Sequence, residues 1–184
     1  MIRVDELSDG DAYRQIDKLA ALLIDAVESG ASVSFMAGLS PREAEAFWEE
    51  AIAGIPTGRT LLFSAFSGAE LVGTVLMHPA GKPNQPHRAD VAKLLVLQSA
   101  RRRGVASRLM DKMEARALEL GRTLLTLDTA SGSAAEPLYA RRGYQRVGAI
   151  PDYSLTTDGR LESTVVYFKN LTAPASSPTG GSTT

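Results

Sequence analysis

One stretch, residues 91–106 with the sequence VAKLLVLQSARRRGVA, constrains the fold more than any other part of the chain. Its first seven residues form an apolar run of strand length that is rich in branched side chains, which predicts a buried strand. After a short turn, Val105, Leu109, Met113 and Leu120 recur at helical spacing. A strand that turns directly into a helix presents free amides and the positive end of the helix dipole at one point. The stretch therefore predicts an α/β fold with an anion site at this turn.

The turn carries residue types that suit a phosphate. Gly104 and Ala106 are small and let an anion approach the backbone, and three arginines precede them at 101–103. The formal net charge is −1, which argues against a general nucleic-acid binder, so these arginines are a local cluster that fits a small anion. The alternative interpretation is an ordinary helix start with a solvated basic face.

Composition bounds the remaining classes. The chain has 184 residues, 44% of them hydrophobic, which predicts one compact domain over residues 1–171. It has no cysteine, so neither a disulfide framework nor a thiolate nucleophile is available. We expect a cytoplasmic protein with no membrane partner, because no signal peptide or membrane-spanning apolar run is apparent. Residues 172–184 are of low complexity and are predicted to form a disordered tail.

The order of predicted elements indicates helices, a hairpin, and then alternating strands and helices. Periodicity and turn residues place helices at 11–28, 40–52, 105–120 and 133–142, and strands at 2–4, 60–66, 71–77, 91–97, 123–129, 144–149 and 164–169. Ser40, Pro41 and Glu43 form a capping signal, and Trp48 is expected in the core. The strand–helix–strand unit should be a right-handed crossover between parallel strands. The loop at 31–39 exposes Phe35, either as a lid or as the lining of a substrate pocket.

Two motifs resemble the GNAT family of N-acetyltransferases. Val96, Arg101, Gly104 and Ala106 fill the family's Val-x-x-x-x-Arg/Gln-x-x-Gly-x-Gly/Ala signature, and Tyr139 stands in a Leu-Tyr-x-x-x-Gly-Tyr run. The resemblance implies a mixed, mostly antiparallel sheet with a central strand–helix–strand acyl-CoA unit, and acetyl-CoA as the cofactor. It assigns cofactor binding to ten residues, namely Leu94, Leu95, Val96, Arg101, Arg102, Arg103, Gly104, Val105, Ala106 and Ser107.

The chain departs from the family pattern at two positions. Gln98 stands where the family often has proline, which affects the turn and not the amides. Gly132 stands where an asparagine often precedes the motif tyrosine by seven residues, so one hydrogen bond to the cofactor is missing or replaced.

Four short segments, at 31–36, 82–84, 127–129 and 158–161, resemble the tabtoxin resistance branch of this family. Kasugamycin-type aminoglycoside acetyltransferases are neighbouring enzymes. This resemblance implies transfer of an acetyl group from acetyl-CoA to an amine of a small toxin or antibiotic, which gives resistance. It implies catalytic roles for Asp90, Asp128 and Tyr139, and acceptor-binding roles for residues that include Ser34 and Phe35, together with Tyr153. Asp90 is a departure, because the relative has a glutamate there.

The implied roles fit the chemistry of acetyl transfer. An amine must lose its proton before it attacks a thioester, and Asp90 or Asp128 can hold the ammonium and accept that proton. A strand bulge near Val96 would aim an amide at the carbonyl oxygen, and Tyr139 can protonate the leaving thiolate. The alternative roles are strand-end capping for the aspartates and core packing for the tyrosine. No metal site is expected, because His78 and His87 lack the spacing of ligands.

Two other functions stay open at this point. A protein or peptide N-acetyltransferase would use residues 31–39 as one wall of an open groove. A non-catalytic acyl-CoA-binding module would have no need of Tyr139 and Asp128, and their presence counts against it. The sequence does not name the acceptor amine, and it leaves a homodimer as a possible assembly.

Overall fold

The computed structural model describes residues 1–172. In chain order the elements are β1 Ile2–Leu7, α1 Asp9–Tyr13, α2 Ile16–Glu28, α3 Pro41–Ala53, β2 Leu61–Ser67, β3 Glu70–Pro79, β4 Arg88–Val96, α4 Val105–Glu119, β5 Leu124–Ala130, α5 Glu136–Arg141, β6 Gln145–Leu155 and β7 Leu161–Asn170. A 3₁₀ turn at Gln98–Ala100 joins β4 to the loop before α4. Apart from Thr172, the tail predicted at 172–184 lies outside the described residues.

The described strands form one mixed sheet in the order β1-β2-β3-β4-β5-β7-β6. All neighbouring strands are antiparallel except β4 and β5, which are parallel and are connected through α4. The predicted fold class is therefore confirmed, with the strand–helix–strand unit at the centre of the sheet. The hairpin of β2 and β3 also forms as predicted, because Gly68 and Ala69 make a two-residue turn between complementary apolar strands.

The parallel pair of strands separates along its length. Registered pairing between β4 and β5 extends only from Arg88 opposite Leu124 to Asp90 opposite Thr126. Beyond this point β4 remains paired with β3, while β5 remains paired with β7 as far as Ala130. A cleft therefore opens between the carboxyl-terminal halves of the two central strands, where an open α/β sheet binds its ligands.

Each face of the sheet has its own core. On one face α4 packs on β2 and β3 and buries Leu109, Met110 and Met113, so these three side chains have no exposed surface. On the other face α2 and α3 bury Leu23 and Trp48, which confirms that the tryptophan packs in the core. The buried apolar area on both faces fixes the sheet as a rigid support for the central cleft.

Several predicted boundaries were wrong. The predicted helix 11–28 is divided into α1 and α2 because Ser8 caps an early first turn, accepting the Asp11 amide at 3.1 Å, and Gln15 leaves the helical conformation. The strand predicted at 91–97 begins earlier, at Arg88, where it gains its three registered pairs with β5. The helix predicted at 133–142 begins only at Glu136, within one residue of Pro137, where the missing proline amide indicated a later start.

The capping signal before α3 is confirmed in full. The Ser40 hydroxyl accepts the Glu43 amide at 3.3 Å, and the Glu43 carboxylate accepts the Ser40 amide at 3.0 Å. Among residues 1–172, no helix has both the length and the apolar character needed to cross a membrane.

Candidate active site

The turn before α4 is an open site for an anion. Gly104 has a φ of 78°, which suits glycine, and α4 begins at the next residue without any side-chain cap. The first-turn amides of Val105, Ala106 and Ser107 have no intrahelical acceptor, and no other described backbone group accepts them. By contrast, Ser40 caps α3. These free amides at the positive end of a 15-residue helix form a cradle that fits a phosphate group.

Gly73 on β3 lets the start of α4 come close to the sheet. A Cβ at this position would lie 2.9 Å from the Leu95 carbonyl oxygen and 3.0 Å from a methyl group of Val105. Both separations are shorter than ordinary van der Waals contact. Residue 73 therefore fixes where the anion cradle sits against β4, a role that the analysis of sequence motifs missed.

The side chains of the turn divide into two groups. Arg101 folds back, with Nε 3.3 Å from the Val96 carbonyl oxygen and one terminal nitrogen 2.7 Å from Ser29 Oγ. The guanidinium of Arg101 therefore ties the turn to the end of α2 and does not face the cradle. Arg102 and Arg103 are exposed beside the free amides, where their charge is available to an anion.

Gln98, where the family often has proline, also ties the turn before α4 to α2. Its backbone amide donates to one carboxylate oxygen of Asp25 at 3.0 Å, and its side-chain amide donates to the other at 3.2 Å. The departure from the family pattern thus replaces a rigid residue with two hydrogen bonds to α2.

A bulge in β4 lies beside the central cleft. Thr74 pairs with Leu95 and Leu76 pairs with Ala92, so β4 has one more residue than β3 across this interval. Lys93 has a φ of 50°, which marks the bulge at residues 93–94, slightly earlier than the predicted position near Val96. A bulge leaves a backbone group of its strand without a ladder partner.

Tyr139 lies on α5 with only 6% of its surface exposed. Its ring packs 5.6 Å from that of Tyr144 and 6.0 Å from that of Tyr167, measured between ring centres. Burial raises the pKa of Tyr139 to about 12, and the nearby negative charge of Asp128 adds to this effect. The hydroxyl therefore carries its proton at neutral pH.

The two aspartates share the sheet face opposite α4, but their surroundings differ. Asp90 accepts hydrogen bonds from the Arg88 guanidinium and from the Thr126 hydroxyl at one oxygen, so its charge is already compensated. Asp128 is exposed, and its Oδ2 accepts the Thr164 hydroxyl at 2.8 Å. No described residue donates a hydrogen bond to the other oxygen of Asp128. Of the two, Asp128 is the carboxylate that remains available to a ligand.

Residues 31–39 form a segment that hydrogen bonds hold against the sheet, and we call this segment the strap. The Lys93 ammonium donates to the Val33 carbonyl oxygen at 2.8 Å and to Ser34 Oγ at 3.3 Å. Further along, the Ala37 amide donates to the Thr157 carbonyl oxygen at 2.9 Å, in the turn between β6 and β7. The strap is thus attached at β4 and at the far hairpin.

Lys93 connects several of the site residues predicted from sequence. Ser34 and Phe35 lie beside Lys93, and the charge of Asp128 acts on both Lys93 and Tyr139. Tyr153 is different: it lies on the edge strand β6 and is 55% exposed. No hydrogen bond or aromatic contact among residues 1–172 connects it with the other predicted site residues.

Arg142 is a further residue that motif analysis missed. It ends α5 and donates to Glu114 Oε2 at 3.0 Å, to Asp111 Oδ1 at 2.8 Å and to the Ser107 carbonyl oxygen at 3.3 Å. It therefore joins the helix that carries Tyr139 to the first turn of α4. No sequence signal marks these contacts, because Arg142 lies 28 residues from Glu114 and 35 residues from Ser107 in the chain.

Glu136 organises the loop that precedes Tyr139. Its carboxylate accepts the Gly132 amide at 2.6 Å and the Tyr167 hydroxyl, and these hydrogen bonds lower the pKa of Glu136. The position where the family often has asparagine thus contributes its backbone amide to the internal structure of the loop.

Comparison with known proteins agrees with this architecture. The sequence profile of the acetyltransferase (GNAT) family matches residues 24–144. An N-acetyltransferase from Staphylococcus aureus Mu50 has a similar structure, with a TM-score of 0.77, 16% identity and coverage of 94% of this chain and 99% of that one. A ribosomal-protein-alanine N-acetyltransferase from Brucella melitensis has a TM-score of 0.76 and 20% identity, covering 92% and 99% of the two chains. YncA from Salmonella typhimurium, solved with its cofactor acetyl-CoA, has a TM-score of 0.74 and 12% identity, covering 95% and 96%. The chain therefore belongs to the GNAT acetyltransferase family and is an acetyl-CoA-dependent N-acetyltransferase.

Proposed function

We propose that the acceptor is an amine of a small toxin or antibiotic, of the tabtoxinine type or a kasugamycin-like aminoglycoside, and that acetylation gives resistance to it. The observation that carries this proposal is the strap. Attachments at Lys93 and Thr157 hold it across the acceptor side of the sheet, where an extended peptide would need an open groove. A site that the strap bounds on one side, with Asp128 as its available carboxylate, suits a compact amine.

The residues around the central cleft fit acetyl-CoA. The amides of Val105, Ala106 and Ser107 would hold its pyrophosphate, with Arg102 and Arg103 neutralising the charge. The cleft between β4 and β5 would take the pantetheine arm, and the bulge at residues 93–94, next to Leu95, would direct a backbone donor at the acetyl oxygen. When bound, acetyl-CoA supplies an activated thioester.

In this proposal, three side chains bind the acceptor amine, support the site and transfer protons. Asp128 holds the acceptor ammonium and accepts its proton, because one of its oxygens has no donor among the described residues. Asp90 accepts hydrogen bonds from Arg88 and Thr126, so we assign it a structural role where β4 and β5 pair. Proton transfer is assigned to Asp128. Tyr139 carries the proton that the leaving sulfur requires.

The alternative of protein or peptide acetylation is supported less well. It requires the strap to move away from the sheet, whereas hydrogen bonds at Val33, Ser34 and Ala37 hold the strap to β4 and to the turn between β6 and β7. The likeness to the ribosomal-protein acetyltransferase, at 20% identity, concerns the fold alone. A non-catalytic acyl-CoA module would not need the buried acid Tyr139 beside the carboxylate of Asp128.

A panel of acceptors with acetyl-CoA tests the proposal. It should contain amino-acid-like amines, aminoglycosides and short peptides with free amino termini, with thiol release and the mass of the product as readouts. We expect acetylation of at least one small amine at a kcat/KM well above that of every peptide, and loss of this activity in Asp128→Asn. Preferential acetylation of peptides would contradict the proposal.

The proposal includes action in the cytoplasm, where acetyl-CoA and an incoming toxin would meet. The homodimer stays a prediction. If a dimer forms, we expect its interface at the edge strand β6, which exposes Val147 and Ile150. Leu161 on the neighbouring strand β7 is also exposed. Light scattering on the purified chain would decide between a monomer and a dimer.

A further inference from the structure

Lys93 occupies an unusual position in the sheet. It lies in the β4 bulge with a φ of 50°, and its side chain emerges on the face covered by α2 and α3. A non-glycine residue at positive φ is uncommon, and for a long side chain it has a conformational cost. The bulge redirects this side chain towards the strap, away from the ordinary alternation of β4.

The ammonium of Lys93 is held by groups of the strap and of α3. Besides Val33 O and Ser34 Oγ, it lies 5.8 Å from the ring centre of Phe35 and 5.3 Å from that of Phe47. The two rings meet edge to face at 5.5 Å. A cation between two aromatic rings and a carbonyl oxygen attracts all three, so the charge joins the strap to α3 and β4.

The path of the strap brings it past the acceptor carboxylate. It runs from Lys93 on β4 to Thr157 in the turn between β6 and β7. In the sheet, β5 and β7 lie between those two points. The strap therefore passes the carboxyl end of β5, where Asp128 accepts its hydrogen bond from Thr164.

We propose that Lys93 is the specificity-determining residue of this enzyme: its ammonium keeps the strap beside the exposed carboxylate of Asp128, and the strap narrows the approach so that small amines are preferred to peptides. Lys93 acts through the strap and is a positioning residue. The inference rests on the proposed function, because it concerns the size of the acceptor. It predicts that an uncharged residue at position 93 makes the site accept peptides.

The test compares Lys93→Met, which retains an apolar stem without the charge, with Lys93→Arg, which retains a cationic donor. For each variant and the wild type, kcat/KM is measured for the best small amine and for a tripeptide with a free amino terminus. Hydrogen exchange of the strap amides, Ala37 above all, is measured in parallel. In Lys93→Met we expect the small-amine to peptide ratio to fall at least about tenfold, the effect of losing one charge-assisted hydrogen bond. Ala37 exchange should accelerate, the KM for acetyl-CoA should stay unchanged, and Lys93→Arg should restore the ratio.

The outcomes separate the inference from the proposed function. An unchanged ratio and unchanged exchange in Lys93→Met would overturn the role of Lys93 while leaving the small-amine activity intact. If the wild type acetylates no small amine, the proposed function fails. In that case the exchange data still test Lys93: strap amides that exchange as slowly in Lys93→Met as in the wild type would show that Lys93 does not fix the strap. Should Lys93→Met not fold, Lys93→Gln provides a polar uncharged side chain for the same measurements.

Discussion

Substitution of Arg142 by methionine should weaken the junction between α4 and α5. The Arg142 side chain is only 14% exposed, and its charge is shared between Glu114, Asp111 and the Ser107 carbonyl oxygen. Glu114 is the critical partner because its side chain is 12% exposed and cannot easily recover hydration. Methionine preserves much of the apolar stem, so the change isolates the guanidinium.

The expected loss follows from the partners that remain. Removing one member of a buried ion pair typically costs about 3–5 kcal/mol, because the other charge stays buried without compensation. Glu114 still has the Lys169 ammonium at 2.7 Å, and Asp111, which is 67% exposed, is readily hydrated. We therefore expect a lower value, about 2–3 kcal/mol in the free energy of unfolding. For a chain of this size, that corresponds to a fall in Tm of about 4–12 °C.

Denaturant unfolding of Arg142→Met, Lys169→Met and the double variant measures this effect. Because both cations compensate the same carboxylate, the double variant should lose more stability than the two single losses combined. Asp111→Asn is the matched surface control and should cost less than about 1 kcal/mol. A loss below about 0.5 kcal/mol in Arg142→Met, or simple additivity in the double variant, would show that Glu114 is hydrated and would refute the reasoning.

Four further predictions concern the cleft and the cradle. Gly104→Asp should abolish acetyl-CoA binding in calorimetry through strain and like charge, and unchanged affinity would remove the cradle assignment. Gly73→Ala should destabilise the fold by about 1–3 kcal/mol in denaturant unfolding, since its Cβ meets the Leu95 carbonyl oxygen. Tyr139→Phe should lower kcat by about 100- to 10,000-fold with acetyl-CoA binding unchanged, and with its pKa of about 12 the wild-type acid should stay protonated up to about pH 11. Asp128→Asn should raise the KM of the acceptor far more than Asp90→Asn, and equal effects would show that the two carboxylates share the role.

The features that were predictable from the sequence depend on neighbouring residues. The capping box at Ser40 and Glu43 lies within four residues, and the β2–β3 hairpin depends on a two-residue turn. The anion cradle at Gly104 also lies within one strand–turn–helix segment. In each case the physical cause, a cap, a turn or a helix end, is complete within a short stretch.

The features that were missed depend on contacts between distant residues. Lys93 appears in the sequence as one polar residue within an apolar strand, and only the register with β3 reveals the bulge that turns it towards the strap. Gly73 appears as an ordinary glycine in a strand until α4 is packed beside it. Arg142 gains its role from Glu114 across a gap of 28 residues.

The difference between the two aspartates shows where sequence reasoning could have gone further. The resemblance implied catalytic roles for both Asp90 and Asp128 and left open which of them is the base, although Asp90 departs from the relative's glutamate. Arg88 precedes Asp90 by two residues, so on a strand both side chains point to one face, and an ion pair was predictable from that spacing. Thr126 completes the compensation from the parallel neighbour, which required the register of β4 with β5. A carboxylate that already has a guanidinium and a hydroxyl gains little from an acceptor ammonium, whereas Asp128 with a single hydroxyl donor gains more. Our proposal that Asp128 is the base therefore rests on the existing partners of each carboxylate, and these partners are set by the sheet register.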